Sequence, residues 1–175
     1  MAQVKLPDGS KLEVPDGTTA KQVAEQIGPQ LAKSAVVAEI DGKLVDLSSP
    51  LQGHASVRII TTRDEQGLDI MRHSCAHVMA EAICHIWPDA KLVYGPTVRD
   101  GFYYDIDLDE AIRPDDFERI EKKMTEIAQA DLPFVRKEMT RDQALDKMAD
   151  DKYKTDNIKR THSDLISFYA HGDGF

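Results

Sequence analysis

Gln3-Val4-Lys5-Leu6-Pro7-Asp8-Gly9-Ser10-Lys11-Leu12-Glu13-Val14 reads as strand, turn, strand. Polar and apolar residues alternate through Gln3–Leu6 and again through Lys11–Val14, the period of a half-buried strand. Pro7-Asp8-Gly9 between them is turn chemistry, so the opening of the chain is a hairpin. Outward from it, Asp16-Gly17 breaks the pattern and Thr18 or Thr19 caps a helix running through Ile27. Val23, Ala24 and Ile27 are the expected buried stripe of that helix, and Gly28-Pro29 ends it. Ser34 to Ile40 is an apolar run suited to a buried strand. Asp41-Gly42 is a tight turn into Lys43-Leu44-Val45, and a last strand falls near Ser56–Thr61.

The order β-β-α-β-(β)-β over residues 1–62 is the pattern of a β-grasp, ubiquitin-like domain. The charged junction Arg63-Asp64-Glu65-Gln66 ends it, and a second domain is expected over residues 63–175. The second domain opens with a long helix, Gly67 to Trp87, stopped by Pro88. On a helical wheel, Met71, Cys75, Val78, Met79, Ala82 and Ile86 form the expected core stripe. Lys91–Tyr94 and Gly101–Asp107 read as strands. Pro114 opens another helix, with Phe117, Ile120, Met124 and Ile127 as its stripe. Pro133–Met139 is a strand, and Thr140 caps a short helix over Arg141–Ala149 through a capping box with Gln143. The polar stretch after Asp150 is expected to be loose, with one short helix near Asp156–Lys159. The fold class is therefore α+β: a β-grasp domain followed by an α+β domain whose long helix packs on a sheet.

The chain has 175 residues, 41% hydrophobic and 30% charged, with a net charge of −9. That composition fits a globular protein of two small domains. The acidic balance argues against a surface that coats nucleic acid generally, but leaves room for a local patch. No run approaches the roughly 18 apolar residues of a membrane span. Cys75 and Cys84 share one helix and stand about 13 Å apart by rise alone, too far for a disulfide. Reduced thiols and no secretory leader point to the cytoplasm.

The sharpest chemical feature is His73-x-x-x-His77. Residues four apart on a helix are neighbours, so two imidazoles can share acid–base work or half-fill a metal site. Two polar residues on a solvated face would look the same from spacing alone. The pair lies opposite the apolar stripe, yet Ala80 and Cys84 beside it are small and uncharged, which suggests the wall of a cleft. A zinc site would need further ligands from Cys84, His162 or His171, none at a companion spacing. Tyr103-Tyr104-Asp105 within a strand could line the cleft or fill the core. Lys152-Tyr153-Lys154 and Lys159-Arg160 make a basic island that suits a phosphate or carbonyl oxygen, or a plain solvated loop. There is no P-loop and no dinucleotide fingerprint.

Arg72-His73-Ser74-Cys75-Ala76-His77, with Trp87-Pro88, Gly95-Pro96 and Gly101-Phe102-Tyr103-Tyr104-Asp105, resembles the amino-terminal region of threonyl-tRNA synthetases. Leu6-Pro7-Asp8-Gly9-Ser10 and Ile27-Gly28-Pro29-x-Leu31-Ala32 resemble the TGS domain of that family. Similar His and Tyr strings occur in alanyl-tRNA editing modules, but the TGS-like start favours the threonyl family. The resemblance covers essentially the whole chain in order. It implies an editing domain over residues 63–175 that hydrolyses serine wrongly esterified to threonine tRNA. In that family the residues matching His73, His77, Tyr104 and Lys154 line the site. His73 and His77 would act on the ester and its water; Tyr104 and Lys154 would bind substrate. The partner implied is the 3′ end of tRNA(Thr), in a parent enzyme that dimerises through other domains. ATP and zinc would belong to the parent's catalytic domain, with no cofactor in this part. The family pattern continues past Ser167-Phe168-Tyr169…Gly172-Asp173…Phe175 into an acidic residue and a CRGPH string that complete the site. These 175 residues are therefore expected not to aminoacylate and to edit weakly if at all. The competing readings are a non-catalytic tRNA- or protein-binding module and a small zinc protein.

Overall fold

The computed structural model describes residues 1–172, the side chain of Phe134 excepted. The chain divides into two compact units, Met1–Arg72 and His73–Phe175. The division falls inside a helix, whereas the sequence boundary at 62/63 was drawn ahead of it.

In the first unit, β1 (Ala2–Lys5) and β2 (Lys11–Val14) form the antiparallel hairpin in the register Ala2↔Val14 to Lys5↔Lys11. Helix α1 (Ala20–Ile27) begins at a capping box: Gln22 N–H donates to the Thr19 hydroxyl, and Thr19 N–H donates to the Gln22 carboxamide at 2.9 Å. Val23 and Ala24 are buried, but Ile27 is 43% exposed, so the stripe ends one turn earlier than expected. Gly28-Pro29 does end α1, and Pro29 then occupies the first turn of a second short helix, α2 (Pro29–Ser34). Proline lacks only an N–H that a helix start leaves unused, so the same residue stops one helix and starts another. β3 (Ala35–Ile40), β4 (Lys43–Val45) and β5 (His54–Thr61) complete the sheet. Asp41 (φ 50) and Gly42 (φ 79) make the β3–β4 turn, two successive left-handed residues matched to the twist of a hairpin.

The sheet order is β2-β1-β5-β3-β4, with β1 parallel to β5 at its centre. This is a β-grasp sheet. Val4, Val14, Val23, Leu51 and Val57 fill its core. The chain leaves β5 through Asp64, whose carboxylate accepts from Thr61 N–H and the Thr61 hydroxyl, both at 2.8 Å. These bonds hold the carboxyl below its usual range. Helix α3 (Glu65–Ile86) follows, and Gly67 lies so close to the Thr61 carbonyl that a Cβ there would overlap it.

In the second unit, α3 continues into β6 (Lys91–Tyr94), β7 (Thr97–Val98), β8 (Gly101–Phe102) and β9 (Asp105–Asp107). A 3-10 turn at Pro114–Asp116 leads into α4 (Phe117–Gln129). Then come β10 (Phe134–Thr140), α5 (Arg141–Lys147), α6 (Lys152–Arg160) and β11 (Leu165–His171). The described strands pair as three two-stranded ribbons: β6–β9, β7–β8 and β10–β11. Ala82 and Ile83 of α3 pack with Ile120 and Ile127 of α4, joined by Ile106 of β9. Phe117 is 53% exposed and stands outside this core.

Three expectations need correction here. Met71 is 46% exposed and Cys75 is exposed, while Val78, Met79, Ala82 and Ile86 of the expected stripe do pack in the core and Ala76 and Ala80 outside it are also buried, so the inward arc starts later and is wider than expected. Gly101–Asp107 is two strands, broken at Tyr103-Tyr104. The stretch after Asp150 is ordered into α6 and β11. Asp151 caps α6 by accepting from the N–H groups of Tyr153 and Lys154, at 3.0 and 2.9 Å. β11 pairs with β10 through seven residue pairs. The ribbon partner was already inside the chain.

Truncating the fully buried Ile60 to alanine is expected to lower unfolding stability by about 2–5 kcal/mol. Ile27→Ala, on the exposed end of α1, is expected to lower it by about 1 kcal/mol or less. Urea titration of the two variants compares them directly.

Candidate functional site

The pair His73 and His77 sits on α3 one turn apart, and the rings meet. Nε2 of one lies 3.0 Å from Nε2 of the other, with centroids 4.5 Å apart and planes at 88°. One imidazole donates and the other accepts, so at least one ring nitrogen in the contact is unprotonated. His73 is exposed and His77 half-buried. Burial, and secondarily the like charge His73 would carry, hold the His77 imidazole below its usual range. At neutral pH the neutral ring, able to accept or donate, is therefore favoured at His77.

The helical face beyond the pair is enclosed. Ala76 and Ala80 are buried, Cys84 is half-buried, and Glu81, one turn past His77, is 6% exposed. The small residues thus mark a covered face of the helix beside the pair. Cys84 is a free thiol pushed up by burial; Lys154 opposes that shift and Glu81 adds to it. Burial likewise raises the Tyr104 phenol, with Cys84 contributing. Cys84, Glu81, Tyr104 and Lys154 therefore lie within electrostatic reach in a chain: Tyr104 to Cys84, and Cys84 to Lys154 and Glu81.

The sequence-predicted residues fall into two groups. His73 and His77 touch each other. Tyr104 and Lys154 are each coupled electrostatically to Cys84, and the Lys154 ammonium pairs with Asp151 at 3.8 Å. Lys154 is set in the first turn of α6 by the Asp151 cap. Tyr104 occupies the break between β8 and β9, where its ring covers the backbone of Gly95. Any Cβ at Gly95 would overlap that ring. Tyr103, 50% exposed, and Asp105 are both exposed, whereas Phe102 and Tyr104 are half-buried, so exposure alternates across this break.

His171 and His162, weighed as metal ligands, are placed otherwise. His171 bonds Glu81, with Nδ1 2.7 Å from Oε2, and both side chains are buried. His162 lies in the connection between α6 and β11. Among the described residues, no three His, Cys, Asp or Glu side chains converge as a metal site. Glu81 and Gly95 were not singled out from sequence. An acidic residue four places after His77, between alanines and a cysteine, was the available signal for the first. The Gly95-Pro96 turn was the available signal for the second. A concavity of about 580 Å³ lined by residues including Trp87, Lys91 and Asp107 does not include the histidines.

With the geometry established, comparison with known proteins gives two results. Residues 2–61 match the model of the TGS domain. Over 172 residues, 98% of its length, the chain is 49% identical to threonine–tRNA ligase of Desulfatibacillum aliphaticivorans. It is 46% identical over 173 residues to that of Desulfosudis oleivorans, and 45% identical over 175 residues to that of Rubrobacter xylanophilus. The chain is homologous to the amino-terminal region of threonine–tRNA ligases. It spans 27% of the length of each of these relatives. The β-grasp unit accordingly matches the TGS domain, and the second unit aligns with the stretch of these relatives beyond it. Where the family resemblance reaches Asp173–Phe175, it lies outside the described residues. No helix among the described residues is long and apolar enough to cross a membrane.

Two outcomes follow for the site. Gly95→Ala is expected to displace the Tyr104 ring, read as changed ring chemical shifts, with unfolding stability lowered by about 1–3 kcal/mol. His77 is expected to titrate below the ordinary imidazole value of about 6.5. Because its folded value is depressed, the unfolded chain binds protons first, and stability falls as pH drops through and below about 6.5. His73→Ala removes the like-charge part and should raise the His77 value measured by NMR titration.

Proposed function

We propose that this chain is the TGS and editing region of a threonine–tRNA ligase, and that its second unit hydrolyses serine misattached to tRNA(Thr). The observation that carries the reading is the direct 3.0 Å contact between His73 and His77 on a largely covered helix face. It is supported by similarity along the whole chain to threonine–tRNA ligases.

In this reading the more exposed His73 faces the incoming ester and orients the attacking water. His77, held neutral by burial and by its neighbour, fixes the orientation of the His73 ring. The water oxygen bonds to the ester carbonyl carbon, and the bond from that carbon to the ribose oxygen breaks. The ribose oxygen takes a proton, and serine leaves as its acid. Tyr104 and Lys154 bind the amino acid and the terminal nucleotide. A second site is needed because serine and threonine differ by one methyl, which a single pocket separates by only about 1–3 kcal/mol.

ATP-dependent aminoacylation and its zinc are assigned to the rest of the relatives' length, and no editing step is routed through a metal. The parent is taken as a cytoplasmic homodimer that dimerises through that remainder. The second domain is taken to begin near residue 63, at the start of α3.

Deacylation of seryl-tRNA(Thr) tests the reading. A polypeptide continued past residue 175 as in the relatives is expected to hydrolyse it, and His73→Ala to slow it by about a hundredfold or more. Residues 1–175 alone are expected to be slow, because the resemblance puts further site residues beyond them. Tight tRNA binding without hydrolysis by the longer polypeptide would favour the non-catalytic binding module instead.

A further inference from the structure

Glu81 and His171 are the buried polar residues of the described chain, at 6% and 5% exposure. Their bond joins positions 90 residues apart, from the middle of α3 to the end of β11. A buried charged or polar pair contributes little net stability, because desolvation offsets most of the attraction. Well-packed apolar residues of the same volume would hold α3 and β11 together at least as well. Stability alone therefore does not account for a carboxylate and an imidazole at this place.

Geometry supplies another account. His73, His77, Glu81 and His85 follow one another at four-residue steps, so each side chain neighbours the next along α3. His73 and His77 are in contact. Glu81 then directs Oε2 to His171 Nδ1 at 2.7 Å and Oε1 toward His85 Nε2 at 3.7 Å. The buried 2.7 Å bond from Oε2 holds the Glu81 side chain in place one turn from His77. His171 is equally constrained. It ends a strand held by β10 from Thr140↔Leu165 to Val135↔Ala170, and Gly172 (φ 58) turns the chain directly after it. A carboxylate accepting from Nδ1–H also selects the imidazole tautomer and ring orientation.

We infer that Glu81 and His171 are positioning residues for the His73–His77 pair: their bond locks the end of β11 onto the α3 face one turn beyond His77 and fixes the ring geometry there. Neither residue touches substrate in this account. The inference rests on the hydrolase reading for its effect on rate, but its effect on the two rings is independent of it.

The test combines Glu81→Leu with His171→Leu, an apolar exchange that keeps the packing. Two readouts are taken. One is kcat and KM for seryl-tRNA(Thr) hydrolysis by the polypeptide continued past residue 175. The other is the imidazole 15N chemical shifts of His73 and His77, which report tautomer and contact. The expected result is kcat lowered about ten- to a hundredfold with KM within about twofold, and shifted resonances for both rings. His171→Asn, which keeps an N–H near the place of Nδ1, should recover part of the rate. Unchanged ring resonances in the folded double variant would overturn the inference, whatever the rate does. If the unsubstituted protein fails to hydrolyse the ester while the double variant still moves the resonances, the hydrolase reading falls and the positioning stands. Should the double variant not fold, Glu81→Gln is judged by the same two readouts.

Discussion

The site depends on helix α3 being covered along its second half on more than one side. Ala76, Ala80 and Ile83 share one helix face, while Ala82 and Glu81 are buried on either side of it. A helix in that position cannot carry long charged side chains around its circumference without pairing them. Its residues must be apolar, small, or matched to a specific partner. That constraint explains why the histidines have alanines as neighbours, why Cys84 stays a thiol, and why the one carboxylate inside meets an imidazole at 2.7 Å. The same enclosure sets the protonation of His77, since removing water from an imidazole favours the uncharged ring.

The TGS unit was almost wholly readable, because its signals are local. Thr19 and Gln22 make their capping box from residues three apart, and Asp41-Gly42 adopts left-handed geometry that few other residue pairs tolerate. Its one missed element, α2, uses a proline that also marks the end of α1. In the second unit, the helices and the β10–α5 junction at Thr140 were legible for the same reason. The stretch after Asp150 was not. Its strand is recognisable only through pairing with β10, a contact between residues far apart in sequence. The Tyr103-Tyr104 break is similar, since it follows from a ring lying on Gly95 rather than from strand propensity.

For the candidate site, spacing located His73 and His77, and the resemblance to threonyl-tRNA synthetases located Tyr104 and Lys154. The helical wheel put Ala80 on the side opposite the core, where the structure buries it. It treated the stripe through Met71 and Cys75 as core, whereas the structure exposes both. Periodicity assumes one buried arc, and a helix covered on several sides has no single arc to find. Glu81 was hidden for a related reason. An acidic residue on a helix is ordinarily read as a solvated position, and only tertiary placement makes it internal.

The central pairing of β1 with β5 bears on how the molecule comes to exist. Strand β1 (Ala2–Lys5) lies inside its sheet between β2 and β5, and its parallel neighbour β5, the central strand, is the last strand of the same unit. On a ribosome, β1 must wait until β5 has cleared the exit tunnel before the two can pair and the sheet can close. Only local pieces can form beforehand, namely the β1–β2 and β3–β4 hairpins and the helices α1 and α2, and an isolated hairpin is marginal in water. The TGS unit is thus built to fold late and all at once, as a single closing event at the end of its own synthesis.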